Sequence, residues 1–489
     1  MAEKKEVVII GGGFGGLTCG IALAKEGNKV LVLEKCPIPG GAFQSFRRHG
    51  HILDTGFHYV GGVGEGEVLH PLVTYFGLED LPWQPLDDQF LEVHTHGRTL
   101  FLNRGFQQFV DGIAAEFPSD RAALMKLVSL MTGINKRIYD SVLPNHNVFD
   151  NVLMGVSAKA YLETNFANPV VRNLLCGQCL TTELTDKLPL YSFLQSINSF
   201  TQGSYRLKGG GETLINRLVE NFQAAGGELL TRKAVEQFEI GEGDRIKSVR
   251  CSDGSEYHAD LFISTIHPNL TMQYTPECKQ VRGIFRRRIQ RLENTVGMFT
   301  VQLELRPNTI PYLNRSISII ESDDVWNTPC GKDDPVKNML INFNVPQEGN
   351  FATNIDLLVP MSWEAVSEWE ESSLGHRPEE YKVFKQKKAE ECIAFAKHYI
   401  PELEGNILNY WTSTPLTYRD YTGTWHGSSY GIRKSYDNLL GTVLSPTTPF
   451  ENLFQAGQNM MLHGMLGVAM TTMMTCNAIC GKDLLNNAR

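Results

Sequence analysis

Gly11, Gly13 and Gly16 stand at the spacing G-x-G-x-x-G, with Phe14 and Gly15 between them, and a carboxylate, Glu34, follows further down the chain. Those residue types in that order are suited to holding a dinucleotide. Gly11 permits a tight turn, Gly13 lets backbone approach a pyrophosphate, and Gly16 lets a helix pack closely on a strand. A helix that begins here offers unpaired N–H groups and the positive end of its dipole to phosphate oxygens. Glu34, followed by Lys35, stands where a carboxylate accepts a hydrogen bond from the adenosine ribose, and an acid there disfavours a 2′-phosphate.

That chemistry needs a strand, a helix and a second strand to position it. Val7 to Ile10 is a short apolar run rich in β-branched residues, as expected of a strand buried on both faces. Leu17 to Lys25 reads as a helix, and Gly27 suits a left-handed C-terminal cap. Lys29 to Leu33 is the second strand. Glycines alone are weak evidence, but with both strands, the helix and the acid in place the fingerprint is strong. A second glycine pair, Gly40-Gly41, comes just after the acid, followed by Ala42 and Ser45 and then by Gly56-Phe57-His58-Tyr59. Such a pair lets backbone run close beside a ligand longer than adenosine, which favours FAD over NAD.

Composition narrows the class. The chain has 489 residues, 42% apolar and 20% charged, and a net charge of −9. It has room for two or more domain-sized units, and neither its charge nor any basic run suits nucleic acid. The first strand starts almost at the N-terminus, which leaves no space for a signal peptide, and no segment holds some 18 consecutive apolar residues. With ten cysteines and no secretion signal, reduced thiols and a cytoplasmic location are expected. Cys176 and Cys179 lie in an apolar helical pattern without the βαβ context of a redox motif, and Cys476 and Cys480 sit one turn apart. Both pairs read as buried free cysteines, and no metal is expected.

The glycine pair after the acid resembles the FAD-containing amine oxidase and phytoene desaturase superfamily. There it lines the pyrophosphate and ribityl chain with the residues after it, here Gly41, Ala42, Ser45, Gly56 and His58. The resemblance continues at distant points. Tyr205 to Gly211 leads into a helix from Leu214 to Ala225, then into strands at Glu228–Leu230 and Ala234–Phe238. In the family the residue matching Val235 gives its backbone to the adenine. Near the end, Leu453 to Asn459 is a strand and turn, and His463-Gly464-Met465-Leu466-Gly467-Val468 opens a helical run to Leu485. In the family this unit closes over the flavin, and the helix N-terminus stabilises the anionic edge of the reduced ring. Gly457, Asn459, Gly464, Leu466, Gly467 and Val468 are carried over on that basis. Many members have aspartate where this chain has Asn459, which removes a charge near the pyrophosphate.

Asp54 to Gly61, Ala456-Gly457-Gln458, Thr414-Pro415-Leu416-Thr417 and Gly427 to Gly431 look most like the carotenoid-type branch, and within it the retinol saturase subgroup, with carotenoid isomerases close by. The resemblance implies a flavoenzyme acting on carbon–carbon bonds of an apolar isoprenoid or polyene, with saturation of C=C the first reading. Desaturation and isomerisation are the alternatives, and a flavin-free prenyl-binding escort protein is a distant one. Hydride transfer at flavin N5 often needs a proton donor opposite. His58 and Tyr59, just past the ribityl segment, and His463, at the helix entrance, are the candidates, although aromatic walls and flavin alone also serve in this branch. Lys208 reads as a solvated or phosphate-facing charge.

The expected fold is α/β: a Rossmann-like FAD-binding domain of glutathione reductase type with an inserted α+β substrate domain. The FAD domain is discontinuous, at 1–75, 200–275 and 440–489. Residues 76–199, largely helical in pattern, and 276–439, with strands at Thr295–Leu305, Ser316–Glu321, Asn338–Val345 and Asn354–Val359 and a helix at Glu379–Tyr399, make the substrate domain. No second dinucleotide fingerprint appears, so reducing equivalents come from NAD(P)H, a redox partner protein or the substrate. A lipophilic substrate implies transient contact with a membrane surface, yet no amphipathic helix with a basic polar face stands out.

Overall fold

The computed structural model describes residues 4–143, 151–178, 181–243, 245–279, 281, 283–322 and 324–486. Five parallel strands form one sheet in the order Glu228–Leu230, Lys29–Leu33, Glu6–Ile10, Leu261–Ser264, Leu453–Gln455. Alternate side chains of the central strand enter different cores. Val7 and Ile9 pack with the helical side, and Val8 and Ile10 pack under a three-stranded antiparallel sheet of Val235–Ile240, Ile246–Cys251 and Glu256–His258. Burial on both faces explains the unbroken apolar run, at roughly 1.5–3 kcal/mol for each such side chain. This half is α/β and Rossmann-like.

The first helix spans Phe14–Lys25, so it starts at the glycine loop itself rather than at Leu17, with Gly13 as its N-cap. At its end Gly27 adopts φ 84° and donates to Ala24 O, while Asn28 N–H reaches Leu23 O. That is the left-handed cap expected. The last helix, Gly464–Cys480, packs along it through Thr18 Oγ1 and Thr472 Oγ1, 3.0 Å apart. It stops before Leu485 because Gly481 turns left-handed at φ 68°. Cys476 is buried beside the Cys19 carbonyl. Cys176 is also buried, and Cys179 lies outside the described residues.

A seven-stranded sheet faces this half. Its order is Ile407–Ser413, Gly297–Leu305, Asn354–Met361, Asn338–Phe343, Ser316–Ile320, Gln89–Thr95, Arg98–Asn103. The helix Glu379–Tyr399 covers its outer face with Tyr381, Phe384, Cys392 and Ala396. Segment 76–199 is therefore not helical cover alone, since its hairpin Gln89–Asn103 extends the sheet. The hairpin turns at His96 and Gly97, both at positive φ, and His-Gly is a weaker turn signal than Asn-Gly. Helices Phe106–Glu116, Arg121–Asn135, Ala158–Asn165, Pro169–Leu175 and Leu190–Gln202 form the cover.

A short basic helix does exist. Gly283–Gln290 exposes Ile284, Arg287 and Arg288, while Arg286 is occupied with the Thr275 and Pro276 carbonyls. At eight residues it is too short for its period to be read from sequence. No helix among the described residues is long and apolar enough to cross a membrane. Lys208 is exposed.

Candidate active site

One cleft of about 460 Å³ runs from the glycine loop to the inner face of the seven-stranded sheet. At its nucleotide end, Gly11 takes φ 103° and Gly13 bridges to Gly40, whose N–H donates to Gly12 O at 2.9 Å. Gly41, at φ 56°, lies directly against Gly13. A Cβ on Gly13 would rest in ordinary van der Waals contact with the Gly40 and Gly41 backbone, nothing nearer than 3.7 Å, so the fold itself leaves room for it. Gly13 gives the helix no side-chain cap, which leaves its first-turn N–H groups to a ligand. Glu34 is buried and accepts from Gly12 N–H and Cys36 N–H, each at 2.7 Å, which ties the loop to the end of the second strand. Lys35 is exposed, and Val235 lies at the far wall beside Lys233 and Ala234. This cradle fits a dinucleotide pyrophosphate and its ribose.

The opposite wall comes from the C-terminal strand, turn and helix. Gly457, at φ 105°, exchanges hydrogen bonds with Thr471 Oγ1. Asn459 Oδ1 accepts from Ile432 N–H at 3.1 Å, which leaves its amide N–H₂ as the donor end for a ligand oxygen. His463 caps the last helix without a side-chain bond to it, so that N-terminus is also unclaimed. Gly467 packs so tightly on Leu462 that a Cβ would overlap it, whereas Gly464, at φ 71°, faces open space. Val468 bears on Gly15, and Leu466 and Phe14 complete this wall. On the facing side a Cβ on Gly56 would stand 3.0 Å from Ala42 O, so the two residues lie close. Two expected residues do not line the cleft. Gly16 sits behind the loop, where a Cβ would overlap the Gly11 carbonyl. Ser45 bonds the Asp54 carboxylate at 2.6 Å and accepts from Glu212 N–H, because its strand turns it away.

His58, Tyr59 and His463 all line the cleft, but their partners differ. Tyr59 donates its hydroxyl proton to Gln178 Oε1 at 2.8 Å. His463 holds the Thr181 carbonyl with Nε2 at 3.0 Å and packs at a tilt against Tyr430, ring centroids 4.4 Å apart. Burial pushes His463 down to about 4, with nearby Lys434 pushing the same way, so it is neutral at pH 7. His58 Nδ1 lies 3.2 Å from Oδ2 of Asp356, a fully buried carboxylate. Asp54, four residues before His58, is pushed up to about 6 by burial, against the hydrogen bonds from Ser45 and Gly211 N–H.

Sheet register supplies a wall that sequence reasoning missed. Thr300, Leu358 and Leu340 stand side by side on three strands, and Leu358, Leu340 and nearby Met298 line the cleft. Tyr418 also lines it, its hydroxyl 2.6 Å from Thr300 Oγ1, and burial pushes that phenol up to about 12. The signal was present. Thr414 and Thr417 form a capping box that starts the helix Pro415–Thr422, and that helix carries Tyr418. Gly431, at φ 72°, lets Tyr430 approach His463, and a side chain there would overlap Asn459 Oδ1.

A sequence model of the flavin containing amine oxidoreductases matches residues 14–479. All-trans-retinol 13,14-reductase of Homo sapiens is 23% identical over 534 residues, covering 100% of this chain and 87% of that protein. Prolycopene isomerase of Daucus carota is 22% identical, covering 98% and 80%. Among solved structures, an oxidoreductase from Methanosarcina mazei aligns at TM-score 0.62 and 17% identity over 98% of this chain and 100% of that one. Wild-type putrescine oxidase bound to putrescine aligns at TM-score 0.60 and 17% identity, over 98% and 100%. The cofactor of the cleft is FAD.

Proposed function

The chain belongs to the flavin containing amine oxidoreductase family, and from that premise we propose that it adds hydrogen across a carbon–carbon double bond of a polyene-type substrate. The observation that carries this reading is the continuity of one cleft from the FAD cradle to the apolar row Met298, Leu358 and Leu340. A long unsaturated chain lying on that row would present its carbons beside His58 and Tyr59. FAD, when bound and reduced, supplies the hydride. The last helix's unclaimed N-terminus would favour negative charge on the bound ring. The sheet and Tyr418 exclude water, and His58 is placed to deliver the proton.

We assign residues 1–75, 200–275 and 440–489 to the FAD domain and the two insertions to the substrate domain. The reducing equivalents would come from outside, as NAD(P)H or a redox protein, because the chain carries one fingerprint. The similarity to prolycopene isomerase favours a second reading, isomerisation on reduced flavin without net redox change. The test is accurate-mass comparison of apolar extracts from cells expressing wild type or Gly13→Trp, fed with all-trans-retinol. A hydrogen pair gained only with wild type supports saturation. A lost pair means desaturation, and unchanged mass with altered double-bond geometry means isomerisation.

A further inference from the structure

Three buried polar atoms without an aligned hydrogen bond meet at one point beside the cleft: Nδ1 and Nε2 of His58 and Oδ1 of Asp356. Native structures leave few such groups, and those they leave need an explanation. Asp356 has no exposed surface, and His58 is the cationic or titratable side chain paired with it among the described residues. Asn344 Nδ2 donates to Asp356 Oδ2 at 3.1 Å, which holds the carboxylate in place. Register sets Asp356 between Gln302 and Asn342, and Gln302 Oε1 and Asn342 Nδ2 are also without partners. This polar row stands two residues along from the apolar row that lines the cleft. The sheet therefore holds a fully buried carboxylate in contact with a cleft histidine, with Asp54 and Tyr418 also within electrostatic reach of it.

We propose that Asp356 is the positioning residue for His58. Its carboxylate accepts from Nδ1–H, which fixes the ring and its tautomer and turns Nε2 toward the bound ligand. The contact is 3.2 Å but out of line, and such pairs tighten when ligand fills the site. The proposal rests on the reading of the cleft as a flavin site for C=C reduction. There Nε2 first takes a proton from water, giving an imidazolium held by Asp356. The π electron pair of the double bond then forms a C–H bond with that proton as the Nε2–H bond breaks and leaves its electron pair on the ring. The neighbouring carbon takes the hydride, with its electron pair, from reduced flavin. His58 is left neutral and keeps the Nδ1 proton. The acid is thus assembled from both halves of the molecule, the ring from the segment after the FAD cradle and its carboxylate from the substrate sheet.

The test has one arm without turnover. In FAD-loaded protein carrying ¹⁵N-labelled histidine, assigned with His58→Gln, the wild-type His58 Nδ1 is expected to carry a proton, and Asp356→Asn to give mixed tautomers. A wild-type ring protonated at Nε2 alone, or a spectrum unchanged in Asp356→Asn, overturns the proposal. If Asp356→Asn does not fold, the wild-type spectrum decides. The second arm uses dithionite-reduced enzyme and all-trans-retinol. Asp356→Asn and His58→Gln are each expected to lower kcat about 100-fold at nearly constant KM, the double variant to be no worse than His58→Gln, and Asp356→Glu to recover part of the rate. Additive losses in the double variant also overturn it. If wild type does not act on retinol, the substrate reading fails while the tautomer arm still decides the pair.

Discussion

The carbonyl of Gly11 occupies the space that a side chain on Gly16 would need. The glycine loop therefore contains two kinds of glycine, one fixed by the fold and one by the ligand. Gly16→Ala has nowhere to go, because the obstacle is backbone, and it is expected to destabilise the protein by about 2 kcal/mol or more. Gly13→Ala puts its methyl in ordinary van der Waals contact with the Gly40 and Gly41 backbone, without overlap, so the apoprotein should melt within about 0.5 kcal/mol of wild type, yet bind FAD far more weakly. Thermal melts of apoprotein together with flavin absorbance check both. Equal destabilisation by the two variants would contradict the distinction.

Asn459 and Ile432 form a similar pair with a chemical consequence. The Ile432 N–H already claims Oδ1, so the cleft receives a donor from this side chain. Asn459→Asp keeps that bond but replaces the donor with a carboxylate oxygen that repels phosphate. Weaker FAD binding, about 10-fold in Kd, is expected, with the loss reduced at high salt. Flavin titration at two ionic strengths measures it, and unchanged affinity would place Asn459 outside the cofactor's reach.

How much of this was legible beforehand depends on the range of the interaction. Gly11 to Glu34 is local, since one βαβ unit carries every element its chemistry needs, and the strands, helix and cap all form as read, with only the helix start moved from Leu17 to Phe14. Asp356 is the opposite case. It sits in the run Asn354 to Val359, which reads as a strand, but nothing local says that register will set it beside His58, almost three hundred residues earlier. Ser45 shows the intermediate case. Its neighbourhood was placed well, but strand pairing with Asp54 sent its hydroxyl to Glu212 N–H instead of the cleft. The Gln89–Asn103 hairpin was lost because its turn uses histidine at positive φ, a residue that does not announce such a turn.

His463 should prove dispensable as an acid. Its ring is neutral at pH 7, and glutamine can keep the bond to the Thr181 carbonyl, so His463→Gln is expected to retain FAD and at least a third of the activity. Its titration nonetheless marks the stability curve. His463 and His267 are each lowered from 6.5 to about 4, chiefly by burial. Between those values the unfolded chain binds protons that the folded one refuses, so stability is lost as pH falls through that window, by up to about 3 kcal/mol per ring. Asp54, raised from 3.8 to about 6, works the other way and offsets at most one of them. Melts from pH 7 to 4.5 should show a net acid loss that shrinks in His463→Gln. A flat profile for wild type would refute it.

Lys434 is the base-side counterpart, and it links stability to the cofactor wall. It is buried, donates to the Thr442 and Asn459 carbonyls at 2.8 Å each, and is pushed down from 10.5 to about 7 by burial. No carboxylate is paired with it among the described residues. Because the folded value is the lower one, the unfolded chain holds the proton between pH 7 and 10.5, and stability rises with pH across that window. Lys434→Met removes the titration and unpins the turn that carries Asn459. Its melting temperature should respond less than wild type to a rise from pH 7 to 9, and its FAD should bind more weakly at every pH. The charge also lowers the His463 value, so the variant should lose part of the acid sensitivity that His463 confers. Parallel melts of the two proteins at pH 5, 7 and 9, with and without FAD, test all three. A wild-type profile retained by Lys434→Met would show that the buried ammonium is not the group that titrates.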